Sequence, residues 1–410
     1  MKSHEKKTEK TEKKKMKSTS AGCVAAMTLL AALTISVPLS SVPLLAQDFT
    51  EFDVPGATDT LPSDINSAAT IVGNYIFPNN AFGAFVRTPK GRFTTFDVAG
   101  AGTGANQGTS AWSINAKGEI TGYYVDGSNV SHGYLRSPDG AITSIDVPGA
   151  GTGSGQGTLA FNINSEEEIA GEYIDGSNVT HGFVLVPGPG RFTSFDAPGA
   201  GTGPGQGTQT ASEDGLTRKG AVAGGYVDGN DVVHGLLVLA DGTMTTFDVA
   251  GAGSGPGTYQ GTYPRGIDPR DTISGYYIDG NNVYHGFQRL KRGAVTTFDV
   301  PGAGTASGQG TQGENIDAFG VINGQFIDGS NVSHCFLFIP GRGGIRGSIT
   351  TLPDAPGAGT SPGQGTFVGG SIIPYGERGH PRGQQFAGYY VDQNNLYHGY
   401  LMTIFPPPTQ

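Results

Sequence analysis

The chain has little sulfur, little tryptophan and little charge. Its 410 residues include 2 Cys, 1 Trp and 5 Met, and only 15% of the side chains are Asp, Glu, Lys or Arg. Cys23 lies in a segment expected to be removed, so Cys335 stands alone, and a disulfide scaffold or a cysteine-built zinc site is excluded. No HExxH string and no nucleophile elbow occurs. The GxG strings lead into strands rather than helices and carry no Lys, which argues against a phosphate cradle. DGSNV is far shorter than a twelve-residue calcium loop. No cofactor and no metal is expected.

Lysine is scarce beyond the amino terminus. Eight of the lysines fall in residues 2–17, ahead of a small, apolar run from Ala21 to Ala46. A basic start, an apolar middle and a small residue at the exit read as a secretory signal over residues 1–47, with Met16 an alternative start. Pro38 and Pro43 speak against a retained span. Removing residues 1–47 leaves 17 basic and 32 acidic side chains, a formal charge of −15. That balance disfavours nucleic acid and anionic membrane surfaces as partners. The expected product is a secreted monomer located outside the cell, at its surface or in the periplasm.

What the chain does have is glycine, 69 of them, and an internal repeat. An FDV-type element places Asp at 53, 97, 146, 196, 248, 299 and 354, and an [IVF]-x-G-x-[YF] pattern places Gly at 73, 122, 171, 224, 275, 324 and 388. Such self-similarity means stacked units that share a core. In the second copy, four strands are expected near Ser110–Asn115, Glu119–Val125, Ser131–Ser137 and Ala141–Val147, joined by the turns NAKG, DGSN and PDG. Phe93 faces one side of its strand, Phe96 and Val98 the other, so each sheet needs a neighbour on both faces. Seven such sheets around an axis predict an all-β, seven-bladed β-propeller over residues 48–404, with a Pro-rich tail at 405–410; a β-solenoid is the alternative. The chain opens with a lone fourth strand, DFTEFDVPGA, and ends after a third. The two are expected to pair and close the ring. The Gly of the [IVF]-x-G-x-[YF] pattern is expected where neighbouring blades converge.

An Asp stands six residues ahead of a His in six copies: Asp126/His132, Asp175/His181, Asp228/His234, Asp279/His285, Asp328/His334 and Asp392/His398. The first copy has Phe77 and Gly83 instead. Joint retention and joint loss predict a structural pair stapling the second and third strands, since a buried carboxylate left alone is unfavourable. The His-led tripeptides HGY, HGF, HGL, HGF, HCF and HGY at 132, 181, 234, 285, 334 and 398 resemble the HAF-type extracellular repeats of secreted bacterial proteins. That resemblance spans residues 49 to about 404 and implies export but no established activity.

Function is less legible. The DGSNV hairpins and the Gly-rich loops are expected on one face, where Asn129, Asn178 and Asn331 suit sugar hydroxyls. The insertion IIPYGERGHPRGQQ adds Tyr375, Glu377, Arg378, His380 and Arg382 as further candidate ligand-binding residues. Trp112 and Cys335 are expected in the core, and acidic residues outside the repeat, such as Glu172, Asp214 and Glu314, on a solvated surface. No catalytic residue is assigned. The leading expectation is a non-catalytic protein that binds carbohydrate or another extracellular polymer. The alternatives are a propeller enzyme acting on polysaccharide and a purely structural surface or matrix protein.

Overall fold

The computed structural model describes residues 47–186, 191–211, 214–341, 347–370 and 384–404. The proposed signal, the tail and the candidates Tyr375, Glu377, Arg378, His380 and Arg382 lie outside the described residues. Every regular element described is a strand. Among the described residues, no helix is long and apolar enough to cross a membrane.

The strands come in antiparallel sets of four. In the second set they are Gly108–Ile114, Ile120–Val125, Ser131–Arg136 and Ile142–Ile145, within about two residues of the turn-based reading. The last set consists of Gly365–Val368, Gln384–Val391 and Tyr397–Ile404, and its fourth strand is Gln47–Phe52 from the other end of the chain. This closing strand runs antiparallel to Tyr397–Ile404 in unbroken register, from Gln47 opposite Ile404 to Phe52 opposite Gly399. Each set packs on the next, and the last packs on the first: the molecule is an all-β propeller.

Consecutive sets meet through a single parallel bridge, such as Phe82 with Gly108 or Ser131 with Gly157. Gly108 sits at φ 133°, and a Cβ there would run into the carbonyl of Phe82; only glycine lets the two sets approach so closely. At the closing seam the backbone N–H of Tyr397 donates instead to the Asp59 carboxylate, at 3.0 Å.

The [IVF]-x-G-x-[YF] glycine answers to a different neighbour from the one expected. A Cβ on Gly122 would strike the carbonyl of Ser110, on the first strand of its own set. That strand bulges between Ala111 and Ser113, and the bulge pushes its backbone across the glycine. The crowding is internal to each sheet.

The core lies between sheets. Val72 and Ala84 of the first set pack with Ile120 and Tyr134 of the second and with Val98 of the FDV element between them, while Ile65, Ile71 and Phe85 pack with Phe52 and Ala387 of the last. The third residue of each His-led tripeptide fills these layers, and Phe85, Tyr134, Phe183, Phe287, Phe336 and Tyr400 are all fully buried. At Gly182, Gly235, Gly286 and Gly399 the middle residue has no side chain because the fourth strand lays an aromatic ring across it. A Cβ on Gly286 would lie 2.5 Å from the Phe298 ring. In the sixth set the Phe of the FDV element is replaced by Leu352, and Cys335 occupies the volume thus released, fully buried. Burial pushes its thiol up to about 12, so it is inert packing.

The closing strand should therefore contribute much of the stability. Phe52 packs against Phe85 and Phe93 at centroid distances of 6.4 and 5.8 Å, under the Arg87 guanidinium at 4.4 Å. Phe52→Ala is expected to destabilise by about 3–5 kcal/mol in chemical denaturation. Deleting residues 47–57 should expose an unpaired edge on Tyr397–Ile404 and yield oligomers in size-exclusion chromatography.

Candidate functional site

Six imidazoles are clamped on the face that carries the DGSNV hairpins. Each His has a nearer carboxylate than the one six residues ahead. His132, His181, His234, His285, His334 and His398 set Nδ1 2.7–3.0 Å from Asp146, Asp196, Asp248, Asp299, Asp354 and Asp53, the aspartates of the FDV elements. The carboxylate six residues ahead lies beyond hydrogen-bonding range, 3.5–3.8 Å from Nε2. Each ring also stacks on an aromatic of the second strand, as His234 does on Tyr226 at 4.7 Å and 18°. The clamp thus ties three strands, and the sixth, His398 with Asp53, ties the two ends of the chain.

The other aspartate organises the turn. Asp126 Oδ1 accepts the backbone N–H groups of Ser128 and Val130 at 2.8 and 2.9 Å, an arrangement that recurs at Asp175, Asp228, Asp279, Asp328 and Asp392. All six carboxyls are held below the ordinary 3.8. At Asp126 the Val130 N–H is the largest influence. At the other five, burial is the largest and acts upward, but two backbone N–H donors and the imidazole outweigh it. His334 is held above 6.5, chiefly by its bond to Asp354.

Asn129, Asn178 and Asn331 sit in these turns with left-handed backbones, at φ 62–63°. Their Oδ1 atoms accept from Gln107, Gln156 and Gln309 of the Gly-rich loops, at 2.9 Å in each case. The same loop is hydrogen-bonded to the preceding hairpin, through Asn106 N–H to the Asn80 carbonyl. Each Gly-rich loop therefore strings two neighbouring hairpins together, and these asparagines are committed to that belt.

A different site lies on the axis. A cavity of about 400 Å³ is lined by Ser63, Asp64, Asn74, Trp112, Asn162, Asp214, Arg265, Glu314, Asn315, Gln325 and Tyr389, drawn from every set. Its origin can be read along the first strands. Their second residue is always Thr, at 60, 109, 158, 208, 262, 311 and 366. The Thr hydroxyl accepts a backbone N–H of the FDV element, as from Val98 to Thr109 at 2.9 Å. The fifth residue is different in every copy: Ser63, Trp112, Phe161, Ala211, Arg265, Glu314 and Gly369. Five of these positions, Ser63, Trp112, Arg265, Glu314 and Gly369, line the cavity, so the repeat stops where the first strands reach the axis.

Trp112 is thus only half-buried and belongs to the cavity wall, where it packs edge-on against Phe161 at 5.1 Å. Glu314 is buried rather than solvated, and Arg265 Nε donates to it at 2.7 Å. Asp64 accepts the Ile114 N–H at 2.8 Å and the Ser113 hydroxyl at 3.1 Å from the next set. Asn315 spans to the carbonyls of Gly369 and Gly370. Behind Trp112 and Tyr123 lies Glu172, whose carboxyl burial pushes up to about 7 against the pull of the Thr210 N–H. Among the described residues, no cluster of three or more His, Cys, Asp or Glu could hold a metal ion.

The clamps make stability pH-dependent in a definite direction. The depressed aspartates contribute fully above about 3.8 and lose that contribution as pH falls through their lower folded values. His334 works the other way, contributing below 6.5 and losing it as pH rises through its raised value. The melting temperature should peak between these limits and fall on the acid side in buffered thermal melts. His181→Ala should cost about 1 kcal/mol, because the imidazole is partly solvated and its Asp196 partner exposed.

No protein-family model matches the chain, and no curated protein matches it in sequence. Among solved structures it is similar to the BP39L lectin from Burkholderia pseudomallei, with a TM-score of 0.53 at 10% identity, over 84% of this chain and 95% of that one. Weaker likenesses include a puromycin hydrolase, with a TM-score of 0.44 at 11% identity over 88% of this chain and 57% of that one. Another is the lectin of Aleuria aurantia, described as a six-bladed β-propeller with a fucose recognition mode; here the TM-score is 0.37 at 12% identity, over 75% and 96%. At these identities, what the chain shares with the Burkholderia lectin is its fold.

Proposed function

We propose that the protein is a secreted, non-catalytic propeller of HAF-type repeats, each four-stranded set being one of seven blades, and that it binds a carbohydrate or another hydroxyl-rich extracellular polymer in the axial cavity. The observation that supports this reading is the change of rule along the first strands. Positions that serve the scaffold repeat seven times, while the position facing the axis is different in each copy. A single ligand needs one asymmetric site, and the axial cavity draws one from every set. The wall combines what a sugar ring requires: an indole and a phenol for its apolar face, and amides, carboxylates and a guanidinium for its hydroxyls. Asn129, Asn178 and Asn331 now serve the belt, which moves the proposed site from the hairpin face to the axis. The lectin name of the Burkholderia protein agrees with this reading.

The enzyme alternative rests on Glu172, whose carboxyl is pushed up to about 7, a range in which a side chain can exchange a proton near neutrality. A glycan array probed with the protein separates the readings. Saturable binding without turnover is expected, weakened roughly tenfold or more by Trp112→Leu and by Glu314→Gln, with Asp146→Asn without effect. Turnover of a polysaccharide that vanishes in Glu172→Gln would make the protein an enzyme. Neither binding nor turnover would leave a structural role. Sequencing the amino terminus of the exported protein tests the cleavage placed near residue 47.

A further inference from the structure

The first set lacks the imidazole clamp but keeps the aspartate that receives it. Asp97 occupies the place held elsewhere by Asp146, Asp196, Asp248, Asp299, Asp354 and Asp53, all of which lie 2.7–3.0 Å from an imidazole nitrogen. Gly83 replaces the His, and the Tyr75 ring slides across it, where a Cβ would lie 2.5 Å from the ring. Phe77 and Pro78 replace the Asp–Gly that opens five of the other hairpins, and the Asp–Gln that opens the last, so the second carboxylate is gone as well. Asn79 takes over part of the turn by accepting the Ala81 N–H at 3.1 Å.

These exchanges leave more than a missing contact. A cavity of about 490 Å³ opens at this place, lined by Phe77, Phe82, Val98, Ala101, Thr103 and Asp97 among others. Its walls are mainly apolar, and its one charged group is the carboxylate. Phe77 meets Tyr75 edge to face at 4.9 Å, so an aromatic corner stands beside that charge. Desolvation raises the Asp97 carboxyl above 3.8, with a bond to the Thr109 side chain opposing; six repeats show what such a carboxylate takes up, an N–H donor on a flat, partly apolar body.

We propose that this cavity is a binding site for a small organic cation, an ammonium on an aryl or alkyl body, with Asp97 as the counter-ion in place of the absent imidazole and Phe77 and Phe82 as its aromatic walls. The carboxylate repels anions, and the apolar lining disfavours a bare inorganic cation, which would forfeit hydration without replacement ligands. An arylalkyl ammonium meets both demands, through a charge-assisted hydrogen bond at one end and ring contacts along the other. The site is independent of the axial cavity and of what binds there.

Calorimetric titration with phenethylammonium tests it on the intact protein. Saturable binding is expected, weakened roughly tenfold or more when 2-phenylethanol replaces the ammonium. Asp97→Asn should reproduce that loss. Asp146→Asn, at the equivalent carboxylate already taken by His132, should leave binding unchanged. Phe77→Leu, which keeps an apolar hairpin, should weaken binding while the melting curve shows the fold intact. Absence of saturable binding to the unaltered protein, equal binding of the neutral alcohol, or undiminished binding in Asp97→Asn would each overturn the proposal.

Discussion

A sheet with apolar side chains on both faces cannot be stable alone, and this fold follows from that constraint. The aromatic that ends the tripeptide is fully buried only because a neighbouring set covers it, as Phe85, in the copy whose His is replaced by Gly83, is covered by Phe52 and Ala387. Each set is then both core and lid for the next. A row of such sheets would leave two raw ends, and the chain disposes of both by drawing Gln47–Phe52 beside Tyr397–Ile404. Glycine is the means of approach. Where sets touch, as at Gly108, it removes a collision with the neighbouring set's backbone, and where strands bulge, as at Gly122, it removes one within the sheet.

Much of this was legible in the sequence, because repetition acts as an internal alignment. Strand positions, the apolar faces of Phe93 and Phe96, the sharing of one face by hairpins and Gly-rich loops, and the pairing of the chain ends could be read from spacing and turn chemistry. The nearer partner of each His was not. Within the hairpin the Asp–His spacing is constant at six, whereas the FDV aspartate lies at separations of 14 to 20 residues, and in the last set at 345. A contact made through strand pairing has no fixed spacing when the intervening hairpin varies in length.

The axial site was missed for the opposite reason. Glu314 and Trp112 break the pattern, and a departure from a repeat looks like drift until the structure shows that the departures face one another. Trp112 was expected in the core because its counterpart is Phe161; it does pack on Phe161, but it also lines the axial cavity. The same logic applies to Phe77 and Gly83. Repetition maintains the scaffold, and its interruptions mark the places where the molecule can be specific.

The clamp between His398 and Asp53 joins residues 345 apart in sequence. The strand that leaves the ribosome first is therefore the last to find its place, since its neighbour is among the last made. Until then the nascent molecule is an open arc, and the entropy of bringing such distant segments together is large but grows only slowly with their separation. Closure of this kind comes late in folding, because the arc cannot lock while its far end is still being made.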